Sequence, residues 1–283
     1  MEEWLGKPVA DALTEEIKEK AEKEGITPKL VILRIGARPD DLSYEKGALA
    51  RMKKCGFEAE VRTFPKDVSQ EEFEQAVDAA GDDPDTDGIL LFFPLPKSID
   101  QKRIAQKIRP EKDLDGISPV NQAKLYAGDK SGFAPCTAEA VMRILSYYKV
   151  DPRGKKAVVV GRSTVIGRPA AMLLLAANAT VTITHTKTAD LAAECRQADI
   201  LVAAAGHAGT VRADFIKPCA VVLDVGINVD ENGKLCGDVD AQAVRDEGKA
   251  SALTPVPRGV GSVTTSVLAE HLLRAAEARR ETK

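Results

Sequence analysis

The chain has 283 residues, 44% of them hydrophobic and 29% charged, with 40 Lys and Arg against 43 Asp and Glu for a net charge of −3. That is enough chain for roughly two domains. Its apolar content is too ordinary for a disordered segment, and it lacks the basic excess that drives nucleic-acid affinity. The opening residues show no basic stretch followed by an apolar one, so no secretory signal is expected. Apolar runs such as residues 170–177 fall far short of the ~20 residues needed to cross a bilayer. Cys55, Cys136, Cys195, Cys219 and Cys236 are scattered without a CxxC pair, and His185, His207 and His271 are dispersed. Neither a disulfide framework nor a metal site is expected from them, and a reducing, cytoplasmic setting is.

Apolar β-rich runs alternate with helical patterns along the chain. Leu30 to Ile35 reads as a buried strand ending at Gly36, and Leu42 to Cys55 as a helix with Gly56 at its C′ position. Glu58 to Phe64 reads as a strand, Ser69 to Ala80 as a helix capped by Ser69, and Gly88 to Phe93 as another strand. This βαβα order implies a parallel sheet with helices on its faces. After a loop around Lys130 to Pro135, Thr137 is expected to cap a helix running to about Tyr148, with Glu139 in its first turn.

The alternation restarts beyond residues 151–154. Strands are expected at Ala157 to Val160, Thr180 to Thr184, Ile200 to Ala204 and Ala220 to Asp224, with a helix from Ile166 to Ala176. Thr264 to Thr282 forms a long amphipathic pattern able to pack back on the first half. The expected fold is therefore α/β with two lobes and a cleft between them: residues 1–137 plus 264–283 in one, and a Rossmann-like lobe over 138–263 in the other.

The clearest local signal is Val158-Val159-Val160-Gly161-Arg162-Ser163-Thr164-Val165-Ile166-Gly167-Arg168-Pro169. A glycine closing a strand and a second opening the next helix let backbone amides approach a pyrophosphate. Gly161 and Gly167 are six residues apart, so this is not the standard GxGxxG, and an ordinary tight βα turn is the competing reading. At the end of the next strand, Thr184-His185-Thr186-Lys187-Thr188 is hydroxylic and cationic where an acidic residue would favour NAD. With Arg162 it suits a 2′-phosphate, hence NADP rather than NAD, although it would also serve as a solvated turn. Two further segments are rich in constrained residues: Pro110 to Gly116, with carboxylates at Asp113 and Asp115, and Thr254-Pro255-Val256-Pro257-Arg258-Gly259-Val260-Gly261.

Taken together, PEKDLDG, PCT at Pro135 to Thr137, VVVGRSTVIGRP, THTKT, DVGIN at Asp224 to Asn228, GDVD at Gly237 to Asp240 and TPVPRGVG occur in an order that resembles the methylenetetrahydrofolate dehydrogenase/cyclohydrolase family over nearly the whole chain. The resemblance implies an enzyme that oxidises 5,10-methylenetetrahydrofolate with NAD(P), as a homodimer, and in many members hydrolyses the methenyl product in the same cleft. It implies that Gly161, Arg162, Ser163, Thr186 and Ile227 contact the dinucleotide. It places Asp115 on the pterin, Tyr44 beside the folate, Leu91, Phe92 and Phe93 at the substrate, and Pro257, Arg258, Gly259, Val260 and Gly261 over its other side. Tyr44 and Asp115 are the implied catalytic residues; no metal and no nucleic acid or membrane partner is implied.

The hydrolytic pattern is where the match fails. The family carries a lysine four residues after the tyrosine, about 400° round a helix and so on the same face; here that residue is Ala48. Lys46 lies about 200° round from Tyr44, and Lys53 and Lys54 are more than two turns along. The family's strand-end glutamine, partner of that lysine, is Phe92 here. Losing both members of a polar pair avoids stranding either one. Asp41 replaces a serine, Arg258 a glycine and Ser262 a proline. The expectation is a dehydrogenase with weak or absent cyclohydrolase activity. The alternatives are a full bifunctional enzyme with water activated by another group such as Asp41 or Tyr44, and a catalytically silent binding paralogue.

Overall fold

The computed structural model describes residues 1–281. In chain order, strand β1 (Glu2–Glu3) and helix α1 (Gly6–Glu24) precede β2 (Lys29–Ile35), α2 (Pro39–Cys55), β3 (Glu58–Phe64), α3 (Gln70–Asp82) and β4 (Gly88–Leu91). Helices α4 (Gln101–Lys107), α5 (Pro119–Ala127) and α6 (Cys136–Tyr147) follow. Then come β5 (Lys156–Val160), α7 (Gly167–Ala176), β6 (Thr180–Thr184), α8 (Leu191–Cys195), β7 (Ile200–Ala203) and β8 (Val221–Asp224). A short hairpin, β9 (Asn228–Val229) and β10 (Leu235–Cys236), leads to α9 (Ala241–Glu247), β11 (Ala252–Leu253) and α10 (Thr264–Glu281). The expected terminal helix matches α10, and Thr282 lies outside the described residues.

The described chain divides into two compact units, one of residues 11–136 with 265–281 and one of residues 1–10 with 137–264. In the first, β2 is the centre of a three-stranded parallel sheet ordered β3-β2-β4. Its near-continuous apolar run reflects burial on both faces: Val31, Leu33 and Ile35 join Phe73, Val77, Ile89 and Leu91 in one core cluster. Helix α2 starts at Pro39, has Asp40 and Asp41 in its first turn, and ends on Gly56 at φ 74°, the arrangement a helix dipole and a left-handed cap favour. Ser69 caps α3 by accepting from the Glu72 amide at 3.1 Å.

The second unit is built on a six-stranded sheet ordered β1-β11-β8-β7-β5-β6 with parallel pairing throughout. The strand order reverses about β5, whose neighbours are β6 and β7, so the crevice at its carboxyl end is the topological switch point where ligands bind in such sheets. No described helix is long and apolar enough to cross a membrane.

Three local expectations differ from the structure. The first ten residues group with the second unit, not with residues 11–136. The reason is that Glu2 and Glu3 pair with Ala252 and Leu253, and Trp4 stacks on Tyr148 with centroids 4.4 Å apart. Helix α6 begins at Cys136, so Thr137 lies inside the first turn and does not cap it. Strand β4 stops at Leu91, ahead of the Phe93–Pro94 bond.

Candidate active site

In the first unit, α2 presents Tyr44 and Ala48 one turn apart on one side. Ala48 is fully buried and Tyr44 half-buried. The Phe92 ring meets Tyr44 edge-on, centroids 6.0 Å apart and planes at 80°. The three strand-end residues expected at the substrate do not act alike. Leu91 is buried in the core cluster and Phe93 packs against it, while Phe92 turns to Tyr44. Asp41, one alternative water-activating group, has both carboxylate oxygens accepting from Arg38, at 2.7 and 3.0 Å. That bidentate pairing occupies one lone pair on each oxygen and fixes the carboxylate against Arg38. Lys46, Lys53 and Lys54 are exposed.

The Pro110 to Gly116 turn separates its two aspartates by role. Asp113 is buried and accepts from the Ile117 and Ser118 amides and from Asn121 Nδ2 at 2.8 to 3.0 Å, so it builds the turn. Asp115 takes one amide, that of Cys136 at 2.7 Å. Burial pushes its carboxyl up to about 6, only partly offset by the Cys136 hydrogen bond. The preceding carbonyl, Leu114 O, accepts from His271 Nδ1 at 2.7 Å, which fixes that ring's tautomer. Gly116 has φ 60°, and a Cβ there would overlap the Phe133 carbonyl. A group that titrates near neutrality, placed by two rigid peptides, can both bind a polar ring edge and exchange a proton.

In the second unit, Gly161 follows β5 at φ 126°, and a Cβ there would collide with the Ala204 carbonyl. Gly167 opens α7 against the Gly161 carbonyl in the same manner. Ser163 Oγ accepts from the Ile166 and Gly167 amides at 3.1 and 3.3 Å, leaving the loop 162–165 exposed before the helix N-terminus. At the end of β6, His185 Nδ1 accepts from the Lys187 amide at 3.1 Å, so this ring shapes the turn. Thr186 and Lys187 are exposed beyond it. The glycine turn, the helix N-terminus and two exposed cationic side chains, Arg162 and Lys187, fit a phosphorylated dinucleotide.

The same sheet edge carries a device that sequence reading passed over. Asp238 is fully buried; its Oδ2 accepts from the Ala205 and Gly206 amides at 2.5 and 3.0 Å, and its Oδ1 from Asn228 Nδ2 at 2.9 Å. Asp224, also buried, accepts from the Asp238 and Val239 amides at 3.0 and 3.1 Å. Burial, with the nearby Asp238 charge adding to it, raises the Asp224 carboxyl to about 7. Gly226 and Gly237 have no room for a Cβ against these two carboxylates, which explains glycine in both DVGIN and GDVD. Ile227 stands out from this frame 67% exposed. In the 255–261 loop, Pro257, Arg258 and Gly261 are exposed and Gly259 and Val260 buried. Arg258 has φ 83°, and its carbonyl accepts from the Gly6 amide at 2.8 Å.

A doubly wound sheet with a glycine turn at its switch point, joined in one chain to a second α/β unit bearing a perturbed aspartate, defines a dinucleotide-dependent enzyme. Residues 4–115 match the catalytic domain, and residues 135–280 the NAD(P)-binding domain, of the tetrahydrofolate dehydrogenase/cyclohydrolase family; the chain belongs to that family. It is 54% identical to the bifunctional protein FolD of Alkaliphilus oremlandii over 95% of each chain. Its fold superposes on the bifunctional FolD enzyme of Campylobacter jejuni with a TM-score of 0.92, at 39% identity over 97% of this chain and 98% of that one. A Trypanosoma brucei methylenetetrahydrofolate dehydrogenase-cyclohydrolase complexed with NADP and an inhibitor superposes at 0.88, with 36% identity over 98% and 96%.

Proposed function

We propose that this enzyme oxidises 5,10-methylenetetrahydrofolate to the methenyl form with NADP and hydrolyses the product weakly or not at all. The observation that carries the second half is the pairing of a fully buried Ala48 with a Phe92 ring set against Tyr44. Where the family holds an ammonium and an amide, this chain holds a methyl group and a phenyl edge. The relatives bear the name bifunctional, and the reading departs from that name only at the hydrolysis step.

The two half-reactions ask different things of the protein. NADP, when bound, supplies the ring that accepts the hydride. The protein must hold the donor carbon near it, exclude water, and fix orientation, all of which are positioning tasks. Gly161, Arg162, Ser163, Thr186 and Ile227 hold the dinucleotide in this reading. Tyr44 flanks the pterin, Asp115 binds its polar edge with a carboxyl whose ionisation lies near neutrality, and Phe92 supplies an apolar wall. Hydrolysis of the methenyl cation requires a positioned water and a group to manage its proton. Ala48 and Phe92 can do neither. The same reading places the enzyme in the cytoplasm as a homodimer.

The test is to assay both half-reactions on one preparation, following NADPH formation and then the disappearance of methenyltetrahydrofolate absorbance. Dehydrogenase turnover with hydrolysis at or near the uncatalysed rate is expected. Hydrolysis comparable to the dehydrogenase rate overturns the reading, and no turnover despite NADP binding replaces it with the silent paralogue.

A further inference from the structure

The three-stranded sheet places a cation, Arg34, against the residue that follows Tyr44 on α2. In the parallel ladder Ile32 pairs with Leu90 and Leu33 with Leu91, so one step on Arg34 lies abreast of Phe92. Side chains alternate along a strand: Val31, Leu33 and Ile35 enter the core cluster on one face, and Arg34 stands on the other. That face is the one α2 covers, because Arg34 Nε donates to Glu45 Oε2 at 2.7 Å, and Glu45 is the next residue after Tyr44. Arg34 Nη1 donates to the Gly36 carbonyl. The two side chains are only 11% and 13% exposed. Nη2 has no acceptor among the described residues and is not among the sealed, unsatisfied buried atoms, so it keeps some access to solvent.

We propose that Arg34 is a substrate-contacting residue of this enzyme, donating from Nη2 to a carbonyl or ring acceptor of the folate beside Tyr44. The inference rests on the folate reading above and adds to it a specificity-determining side chain. Glu45 and the Gly36 carbonyl hold the guanidinium plane, so the free edge is preorganised rather than sampled. An arginine also suits a pocket that binds without hydrolysing. It donates hydrogen bonds but does not release a proton near neutrality, and with Glu45 beside it the pair adds no net charge against the cationic product. Arg34 thus supplies polar recognition where Ala48 and Phe92 supply none.

The experiment is an anaerobic fluorescence titration of wild type, Arg34→Lys, Arg34→Gln and Glu45→Gln with tetrahydrofolate and, separately, with NADP. Steady-state kinetics and a thermal melt accompany each protein. Arg34→Lys and Arg34→Gln should weaken tetrahydrofolate binding by about tenfold, the scale of one charge-assisted hydrogen bond, and raise the folate KM in step. Both kcat and NADP affinity should change less than about threefold. Glu45→Gln keeps an acceptor for Nε but loosens the plane, and should weaken folate by a smaller factor. Unchanged folate affinity in a folded Arg34→Gln protein overturns the proposal. So does a parallel fall of folate and NADP affinity with the melting temperature, which marks a structural ion pair. A wild type that binds NADP but no tetrahydrofolate fails the folate reading itself, before any variant is compared.

Discussion

Phe92 lies edge-on to Tyr44, one turn of α2 before a fully buried Ala48. An edge-to-face pair places the positive rim of one ring on the electron-rich face of the other and is worth about 1 kcal/mol beyond area burial. Phe92 is therefore a packed member of this wall. With both Ala48 and Phe92 apolar, neither position holds a polar group in need of a partner.

That pairing makes the restoring substitutions non-additive. Ala48→Lys alone pushes an ammonium into a fully buried position and should cost about 3 kcal/mol of stability with little gain in hydrolysis. Phe92→Gln alone buries an amide without its partner. The double variant should recover part of the lost stability and raise methenyltetrahydrofolate hydrolysis at least tenfold above the sum of the singles, about 1.4 kcal/mol of coupling. Urea melts and the absorbance assay on all four proteins read this cycle. A double variant no faster than the single ones shows that hydrolysis is limited by some other missing group.

Much of this was legible in the sequence, for identifiable reasons. The buried parallel strands announce themselves as unbroken apolar runs, and Gly161 announces a backbone approach that a side chain would block. That Ala48 shares a face with Tyr44 was readable because helical spacing fixes it, whereas the lysine expected there came from the family resemblance alone. Neither the Arg34–Glu45 pair nor the Asp238 hydrogen bonds have such a local signature. Arg34 meets Glu45 only because β2 and α2 are layered, and Asp238 reaches amides 32 and 33 residues away. Strand β1 was invisible because two glutamates carry no β pattern; Trp4 on Tyr148 is what anchors them.

The raised carboxyls reverse the usual acid sensitivity. Asp224 titrates at about 7 and Asp115 at about 6 in the folded chain, against about 3.9 when unfolded. Between those values the native state holds protons that the unfolded state has lost, so the contribution of each group is fully present below pH 4 and fades as pH rises. For Asp224 it is gone above about 7, for Asp115 above about 6. Three units at Asp224 correspond to an upper bound of about 4 kcal/mol. Wild type should thus unfold at higher urea at pH 5.5 than at pH 8. Asp115→Asn should flatten the part of that slope below pH 6. Equal midpoints across the range contradict these ionisations.

Arg258 pays a conformational cost that glycine would not. A non-glycine residue at φ 83° carries about 1 kcal/mol of backbone strain, and its side chain is exposed. Arg258→Gly should leave the melting temperature unchanged or slightly higher, since relief of strain offsets the extra freedom of the unfolded glycine. A role for this exposed cation in holding the anionic tail of the folate predicts that folate KM rises by about threefold, the scale of an exposed ion pair, and loses part of its salt dependence. An unchanged KM identifies an ordinary surface arginine.

Asp238 should govern the dinucleotide without touching it. Its two oxygens tie the β7 exit at Ala205 and Gly206 to Asn228, next to the exposed Ile227, with no cation among these partners. Asp238→Ala takes the acceptor from the half-buried Ala205 amide and from the exposed Gly206 amide and frees both loops, a loss of about 1–2 kcal/mol spread between stability and binding. The expected signature is a rise of about tenfold or more in the NADP dissociation constant while tetrahydrofolate affinity stays within about twofold. Asp238→Asn keeps an acceptor for Ala205 and Gly206 and, with the Asn228 amide turned over, can restore the third bond, so it should recover most of the NADP affinity. Asn228→Ala removes one donor from a half-buried position and gives a milder version of the same shift in a protein that remains folded. If all three variants bind NADP like wild type, the clamp serves stability alone, and the loops it joins are held in place by their own backbone.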